Sequence, residues 1–531
     1  MEENGDGKKM EFDVLGLMQL NRLVVVGKFF RGEAMKKLLL VVLAAILISC
    51  GIASANASPW PMLSHDPQNT GYTTFNGTKQ ADVYWKFSVC CAYIWDHHQA
   101  IVGDDGVIYF GTAKSKYGYP RGGLFTLYPN GTLKSRGFGE CNVATPAIDE
   151  SGDRYIYACD YYRGYCANDY TLYAYYKNGT LKWRKYVGFA DSSGCVRLKV
   201  AGGTLYVSYR KDIKAISTED GSDKWQFTSS DYISDFAVDH SGNVYIGDYS
   251  GNLYALKPDG SVIWMKSFPS KVSTILLKDS IIVGYAKNVS ALNSDGTLKW
   301  RMEFSTDVYK LATKGDNVYV RTGDSVCSIN TNGSLSWCKW VGGIYYYPDI
   351  IVDGKGVIYT TTSGSVVALD QNGTILWSYN VYHPGRISIG KDCLYVMAPD
   401  RTIICLKDLT PPRVKINSPS NGTTYLTSTV QINVSASDPS GIARVIAQID
   451  DATNVTLSFS DGYYVGTTPA LANGNHWIRI YANDTVGNVN SSQVVYFTVS
   501  VTPQPIPEFP AVVIPALVAI GILALKKRHN N

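Results

Sequence analysis

Cysteine is the residue type in this chain with the most chemistry to offer. There are eleven, and ten follow position 50. An even number in short loops points to disulfides. Cys327 falls opposite Cys338 across the Asn332-Gly333 turn, and Cys393 faces Cys405 across a second hairpin. Cys159 and Cys166 flank a short loop. These three pairs are within reach of disulfide geometry if the register holds. Cys90, Cys91, Cys141 and Cys195 remain. They form either one vicinal pair plus Cys141–Cys195 or two longer bridges. Asp96-His97-His98 offers two imidazoles, but adjacent residues on a strand point to opposite faces and rarely share one metal. Loops such as Asp239-His240-Ser241-Gly242 have the look of calcium loops and are explained by turn chemistry. No phosphate-binding loop, nucleophile elbow, paired-His zinc helix or Ser/His/Asp motif is present. No catalytic residue and no metal ligand is therefore assigned.

The elements that would position such residues are short and repeated. The clearest copy runs from Gly242 to Trp264: Gly-Asn-Val-Tyr-Ile-Gly, Gly-Asn-Leu-Tyr-Ala-Leu, then Asp-Gly-Ser-Val-Ile-Trp. It predicts three strands broken by Gly, Asn and Asp. Asp259-Gly260 predicts a two-residue hairpin with positive φ at both turn residues. The first-strand slot recurs as Tyr109, Tyr157, Tyr206, Tyr245, Ile282, Tyr319, Tyr359 and Tyr395. The third-strand slot recurs as Trp183, Trp225, Trp264, Trp300, Trp337 and Trp377, 36 to 42 residues apart. That period, with several strands per repeat, predicts an all-β propeller. The tryptophans are expected to pack one blade on the next. Eight first-strand slots are present, and the eighth repeat stops at Pro411-Pro412 without its Trp strand. The isolated strand around Trp85 completes it, so the expectation is an eight-bladed β-propeller closed by an N-terminal strand.

The pattern of strand, Leu-Tyr-Ala-Leu, Asp-Gly and Leu-Lys-Trp resembles the repeat of the pyrroloquinoline-quinone-type propellers. The opening Trp60-Pro61-Met62 and Asn69-Thr70-Gly71 resemble that superfamily's first segment, and the likeness covers roughly residues 59–410. It implies a fold shared by quinoprotein dehydrogenases and by cofactor-free bacterial outer-membrane assembly lipoproteins, so it does not fix a function. Quinoprotein alcohol dehydrogenases carry an adjacent-cysteine disulfide on the cofactor ring, which makes Cys90 and Cys91 the cofactor-binding candidates under that resemblance. Those enzymes also need calcium held by Glu, Asn and Asp, and an Asp base. No matching acidic motif is found in these repeats, and calcium takes six to eight oxygens.

The remaining segments place the protein. Residues 35–57 read as a signal peptide, with Met35-Lys36-Lys37, an apolar Leu38–Ile48 run and Ala55-Asn56-Ala57 before Ser58. Residues 1–34 are read as an extension upstream of the true start. Leu47-Ile48-Ser49-Cys50 offers a lipobox as the alternative, with Cys50 lipidated. Residues 58–410 form the propeller. Residues 411–500 alternate at period two over about seven strands and predict an Ig-like β-sandwich without cysteine. Ala482-Asn-Asp-Thr-Val-Gly-Asn488 resembles the penultimate turn of bacterial and archaeal surface Ig-like modules. Residues 501–508 are a Pro-rich spacer, 509–525 a transmembrane helix and 526–531 a basic cytoplasmic tail. Pro507-Glu508-Phe509, the apolar run and the basic end also resemble the archaeal sorting signal read by archaeosortases.

Eleven sequons stand at Asn76, Asn130, Asn178, Asn288, Asn332, Asn372, Asn421, Asn433, Asn454, Asn483 and Asn490. Their density, with 18% charged residues and 38 tyrosines, suits a glycosylated surface protein. A net charge of +4 over 531 residues gives no case for nucleic acid. The expectation is a non-catalytic, membrane-anchored cell-surface scaffold without cofactor, whose partner is a surface protein or glycan. The alternatives are a tethered quinoprotein dehydrogenase using pyrroloquinoline quinone with calcium, or a structural envelope component. At least three acidic or amide side chains in the central funnel would favour the dehydrogenase.

Overall fold

The computed structural model describes residues 58–89, 92–93, 98–114, 123–137, 142–149, 156–161, 169–189, 196–345, 348–398 and 401–502. Every regular element among them is a β-strand. The repeat expectation translates directly into sheets. Ile233–Val238, Val244–Asp248, Asn252–Leu256 and Val262–Ser267 form one antiparallel four-stranded sheet in chain order. Eight antiparallel sheets of four or five strands follow one another among the described residues, in a propeller-type fold. In the sheet of Ile233–Ser267 the second and third strands are almost wholly buried and the fourth is half exposed. In the last sheet, Asp82–Ser88 pairs with Thr402–Lys407, Val83 facing Leu406 and Trp85 facing Cys405. The N-terminal strand therefore completes a sheet made otherwise from the end of the repeats, as its isolated Trp predicted.

The turns differ from the expectation in one respect. At Asp259-Gly260 only the glycine takes positive φ, at +84°. Gly260 N–H donates to Lys257 and Lys257 N–H to Ser261, with the ladder shifting between Ala255 and Leu256. This is a type I turn with a glycine bulge. Asp259 stays right-handed because its carboxylate accepts from the Ser261 backbone and hydroxyl.

The same glycines explain the tryptophans. Trp225 Nε1 donates to Pro258 at 2.7 Å, Trp264 to Ser294 at 2.8 Å, Trp300 to Thr331 at 2.7 Å and Trp337 to Gln371 at 2.9 Å. Each acceptor lies in the turn of the following sheet. A Cβ on Gly260, Gly296 or Gly333 would fall 2.7 to 3.0 Å from the preceding sheet's indole. The turn glycine is thus required twice, for its backbone and for the ring laid against it. Trp85 repeats the contact with Pro129 and Gly131.

A second device runs across the sheets. The segment from Trp60 to Asn76 bonds to all eight in chain order. Trp60 exchanges backbone bonds with Val102, and Ile148 N–H donates to Pro61. Val238 donates to Pro67, Leu277 to Gln68, Thr313 to Thr70, Val352 to Gly71 and Asp392 to Asn76, at 2.8 to 3.0 Å. The third sheet is served by a side chain, Lys199 Nζ, which donates to the Leu63 and Asp66 carbonyls. Ser64, His65 and Asn69 all take positive φ along this seam.

Residues Arg413–Val499 form nine strands in two sheets, the expected Ig-like sandwich with two more strands than predicted. Its core is aliphatic and needs no disulfide, with Val434, Val445, Ile478 and Ile480 at its centre. The connection is hydrogen-bonded. Asp408 is buried and accepts from Gln80, Thr410 and Ser440. Asn488 Nδ2 donates to the Asp408 carbonyl at 3.1 Å. No helix among the described residues is long and apolar enough to cross a membrane. Segments 1–57 and 503–531, with the predicted signal, Cys50 and anchor, lie outside the described residues.

Candidate functional site

The innermost strands begin with polar residues, and these converge. Arg197, Tyr232, Ser234, Asp235, Lys271, Ser273, Asp307, Tyr309 and Lys310 lie at the starts of four successive innermost strands. With Arg210, Tyr249 and Arg386 they line a cavity of about 420 Å³. Leu63 of the seam also lines it, and Lys310 Nζ donates to Ser64 Oγ at 2.7 Å. The funnel is therefore floored by the N-terminal segment.

Below that floor most polar groups are hydrogen-bonded, the exceptions in the seam being Trp60 Nε1 and Asn69 Oδ1, which are buried without a hydrogen-bond partner. Asn69 Nδ2 donates to the carbonyls of Phe236 and Ile275, and the Asp235 carboxylate, which borders both the floor and the funnel, accepts from Ile275 N–H. Gln99 takes Ser64 N–H and donates to the Ile387 carbonyl. Burial pushes Lys199 down to about 7, against the attraction of Asp235 and Asp66. Burial would raise Asp66, but hydrogen bonds from His65 and Thr70 hold it below the usual carboxylate range.

Above the floor the balance is cationic. Arg197, Arg210, Lys271, Lys310 and Arg386 face two carboxylates, Asp235 and Asp307. Burial lowers Lys310, and Arg386 and Arg197 add to that against Asp235 and Asp349. Lys271 Nζ stands 3.8 Å from the Tyr249 ring centroid, a cation–π contact. Among the described residues the lining holds two acidic side chains and no amide, fewer than the three that would favour a calcium–quinone site, and Asp235 is already engaged by Ile275 and Asn69. The described lining does not fit that pair of cofactors, and no step is derived through them.

Cys90, Cys91, Cys141, Cys166, Cys195, Asp96 and His97 lie outside the described residues, and the Cys159 side chain is likewise not described. Cys327 and Cys338 sit directly opposite and are bonded. Cys393 and Cys405 are buried thiols, and Cys405 faces Tyr395 while Cys393 faces Lys407. The pair is thus diagonal, two residues off the direct facing that the hairpin suggested. Contact with Cys405 lowers the Cys393 thiol. His98 is buried, bonded through Nδ1 to the Gly111 carbonyl.

Among the sequons, Asn130, Asn178, Asn332, Asn372, Asn421 and Asn454 are exposed, and Asn76, Asn433, Asn483 and Asn490 are half-buried. Asn288 is buried with its amide oxygen accepting from Arg301 Nε at 2.8 Å, a placement that does not suit a glycan.

A carboxylate cluster that sequence reasoning missed joins the linker to the Ig-like domain. Oxygens of Asp408, Asp438 and Asp484 lie within 4.8 Å of one another. Most of their lone pairs are used: Asp484 Oδ1 accepts three backbone N–H groups, from Val486, Gly487 and Asn488. Burial and the two neighbouring carboxylates raise Asp438. The resemblance of the Asp484–Asn488 turn to surface modules was its only signal.

Comparison with known proteins agrees with this architecture. Residues 209–283 and 278–392 match the family described as outer membrane protein assembly factor BamB. Residues 412–480 match a bacterial Ig domain. Among solved structures, BamB from Moraxella catarrhalis aligns at TM-score 0.47 and 16% identity, over 62% of this chain and 98% of that one. The computationally designed Ika8 protein aligns at 0.48 and 12%, over 60% and 98%. No curated protein matches.

Proposed function

We propose that this chain is a non-catalytic envelope protein that uses an eight-bladed propeller as a binding scaffold. The Ig-like domain carries the propeller outward, and residues 509–525 hold it to a membrane. The observation that carries this reading is the funnel. It is floored by the chain's own seam, Lys199, Gln99 and the Asn69 amide nitrogen are hydrogen-bonded beneath it, and its open part offers cations and tyrosines. Such a lining suits binding and orienting a ligand. The family matched by residues 209–392 is named for an assembly factor, which supports a scaffold role by analogy. Exposed sequons such as Asn130 and Asn372 suit an outward-facing disc.

The test uses membranes from cells expressing the full chain. The protein should stay with the membrane through high salt and alkaline carbonate, and protease added outside should cut the propeller away. Release into the soluble fraction would remove the anchor. Calcium-dependent alcohol oxidation with added pyrroloquinoline quinone would replace the scaffold reading with the dehydrogenase.

A further inference from the structure

We infer that the axial funnel is a binding site for an acidic saccharide, a short chain of uronic acid rings. The inference rests on the scaffold reading above and names its ligand class. Three observations on different elements point to it.

The first is charge. Five cationic side chains converge on one floored cavity against two carboxylates. A cleft lined by one sign focuses its field and concentrates counter-charged ligands. Arg197 supplies a planar fork that matches a carboxylate better than an ammonium does, while Arg386 stands 3.8 Å from the buried Asp349 carboxylate and adds its charge from behind.

The second is the tyrosines. Tyr232, Tyr249 and Tyr309 line the same cavity, and Tyr249 and Tyr309 are 51% and 36% exposed. The C–H face of a pyranose packs on such rings, whose faces are electron-rich, while the phenol can bond sugar hydroxyls. A simple anion would need the cations alone.

The third stands on the loops that lead into the funnel. Tyr345 stacks on His383 at 3.4 Å and 8°, and Tyr382 stacks on His383 at 3.7 Å. Tyr382 is 76% exposed. His383 takes φ +47°, the left-handed region that a non-glycine residue seldom occupies. Its N–H is anchored to the Ser363 carbonyl. Strain kept at an exposed aromatic stack is a mark of a preorganised contact surface. Tyr345 lies three residues before the funnel residue Pro348, and His383 three before Arg386. The cavity of about 420 Å³ falls in the range of small-ligand sites and closes below, so a chain end or short oligomer enters from one side only.

The test is calorimetric titration of the full chain in detergent with trigalacturonate. Maltotriose, citrate, a short poly-glutamate peptide and pyrroloquinoline quinone with calcium serve as competitors. Trigalacturonate should bind, and more weakly as salt rises. Lys271→Gln and Arg197→Gln should each weaken it about tenfold without moving the melting temperature. Tyr309→Ala should weaken trigalacturonate while leaving any citrate binding unchanged. Equal binding of maltotriose would remove the role of charge. Equal competition by citrate or poly-glutamate would reduce the funnel to a general anion site, and tighter quinone binding would assign it to a cofactor. Any of these, or no binding at all, overturns the inference. Membrane retention of the same preparation is read in parallel. Lost saccharide binding with intact retention sinks the ligand alone, whereas lost retention sinks the scaffold reading.

Discussion

The two ends of the axial channel are built from the same residue types and do different work. At the seam end, Lys199, Asn69 and Gln99 are buried and hydrogen-bonded. At the open end, Arg197, Lys271, Asp307 and Tyr309 stand on equivalent strands and face the funnel. What separates them is whether a piece of chain arrives. A buried polar group is costly only while unpaired, so the segment from Trp60 to Asn76 turns one set of polar strand starts into structure. The other set is left for a ligand. A lysine on an inner strand therefore has no fixed meaning until the segment is placed.

Substitutions can break or sharpen that contrast. The largest effect is expected at Trp60, which is fully buried at the head of the seam. Trp60→Ala should cost about 3–5 kcal/mol in urea unfolding. A loss under about 1 kcal/mol would mean that the seam is an ornament of a ring already closed. Next comes Asn69→Ala, which strips the donor from the Phe236 and Ile275 carbonyls. It should cost roughly 2–3 kcal/mol.

Lys199 gives a pH signature. Its folded value of about 7 lies below the 10.5 of an unfolded lysine. Between those values the unfolded chain holds more protons, so stability rises with pH from about 7 to 10.5, and the penalty of the buried charge is fully present below 7. The slope is at most about 1.4 kcal/mol per pH unit. Melting curves of Lys199→Met should show a flatter dependence across this window. An unchanged slope would mean that the ammonium is not the titrating group. The smallest effects belong to the open end. Lys271→Gln and Arg210→Gln should leave stability within about 0.5 kcal/mol, and a loss above 2 kcal/mol would show that the funnel is structural too.

The ring was legible because its signals are local. Tyr slots, Trp slots and turn glycines recur at a fixed spacing, and each answers to one contact: ring on ring, indole on carbonyl, glycine under indole. Even the missing eighth Trp strand could be traced to Trp85. The turn type was misjudged because Asp259 can either adopt positive φ or accept from Ser261, and the sequence is the same for both. The funnel was not legible. Its residues are polar positions at or just before the starts of inner strands, nine or ten residues ahead of a Tyr slot: Asp235 before Tyr245, Lys310 before Tyr319 and Arg386 before Tyr395, with Lys199 seven before Tyr206 at the matching place in the seam. That recurrence was the available sign. Their convergence depends on contacts between residues more than a hundred positions apart, which no local pattern encodes.

The seam also sets an order of events. Trp60 to Asn76 needs all eight sheets, and Asp82–Ser88 needs Thr402–Lys407, which is made more than 300 residues later. The part synthesised first is thus the part placed last. Until then its apolar residues wait in a loop whose closure carries a high entropic cost. High contact order slows folding. A chain exported N-terminus first would spend that interval on the far side of the membrane with its fastener unfastened, a window in which a folding helper has the most to gain.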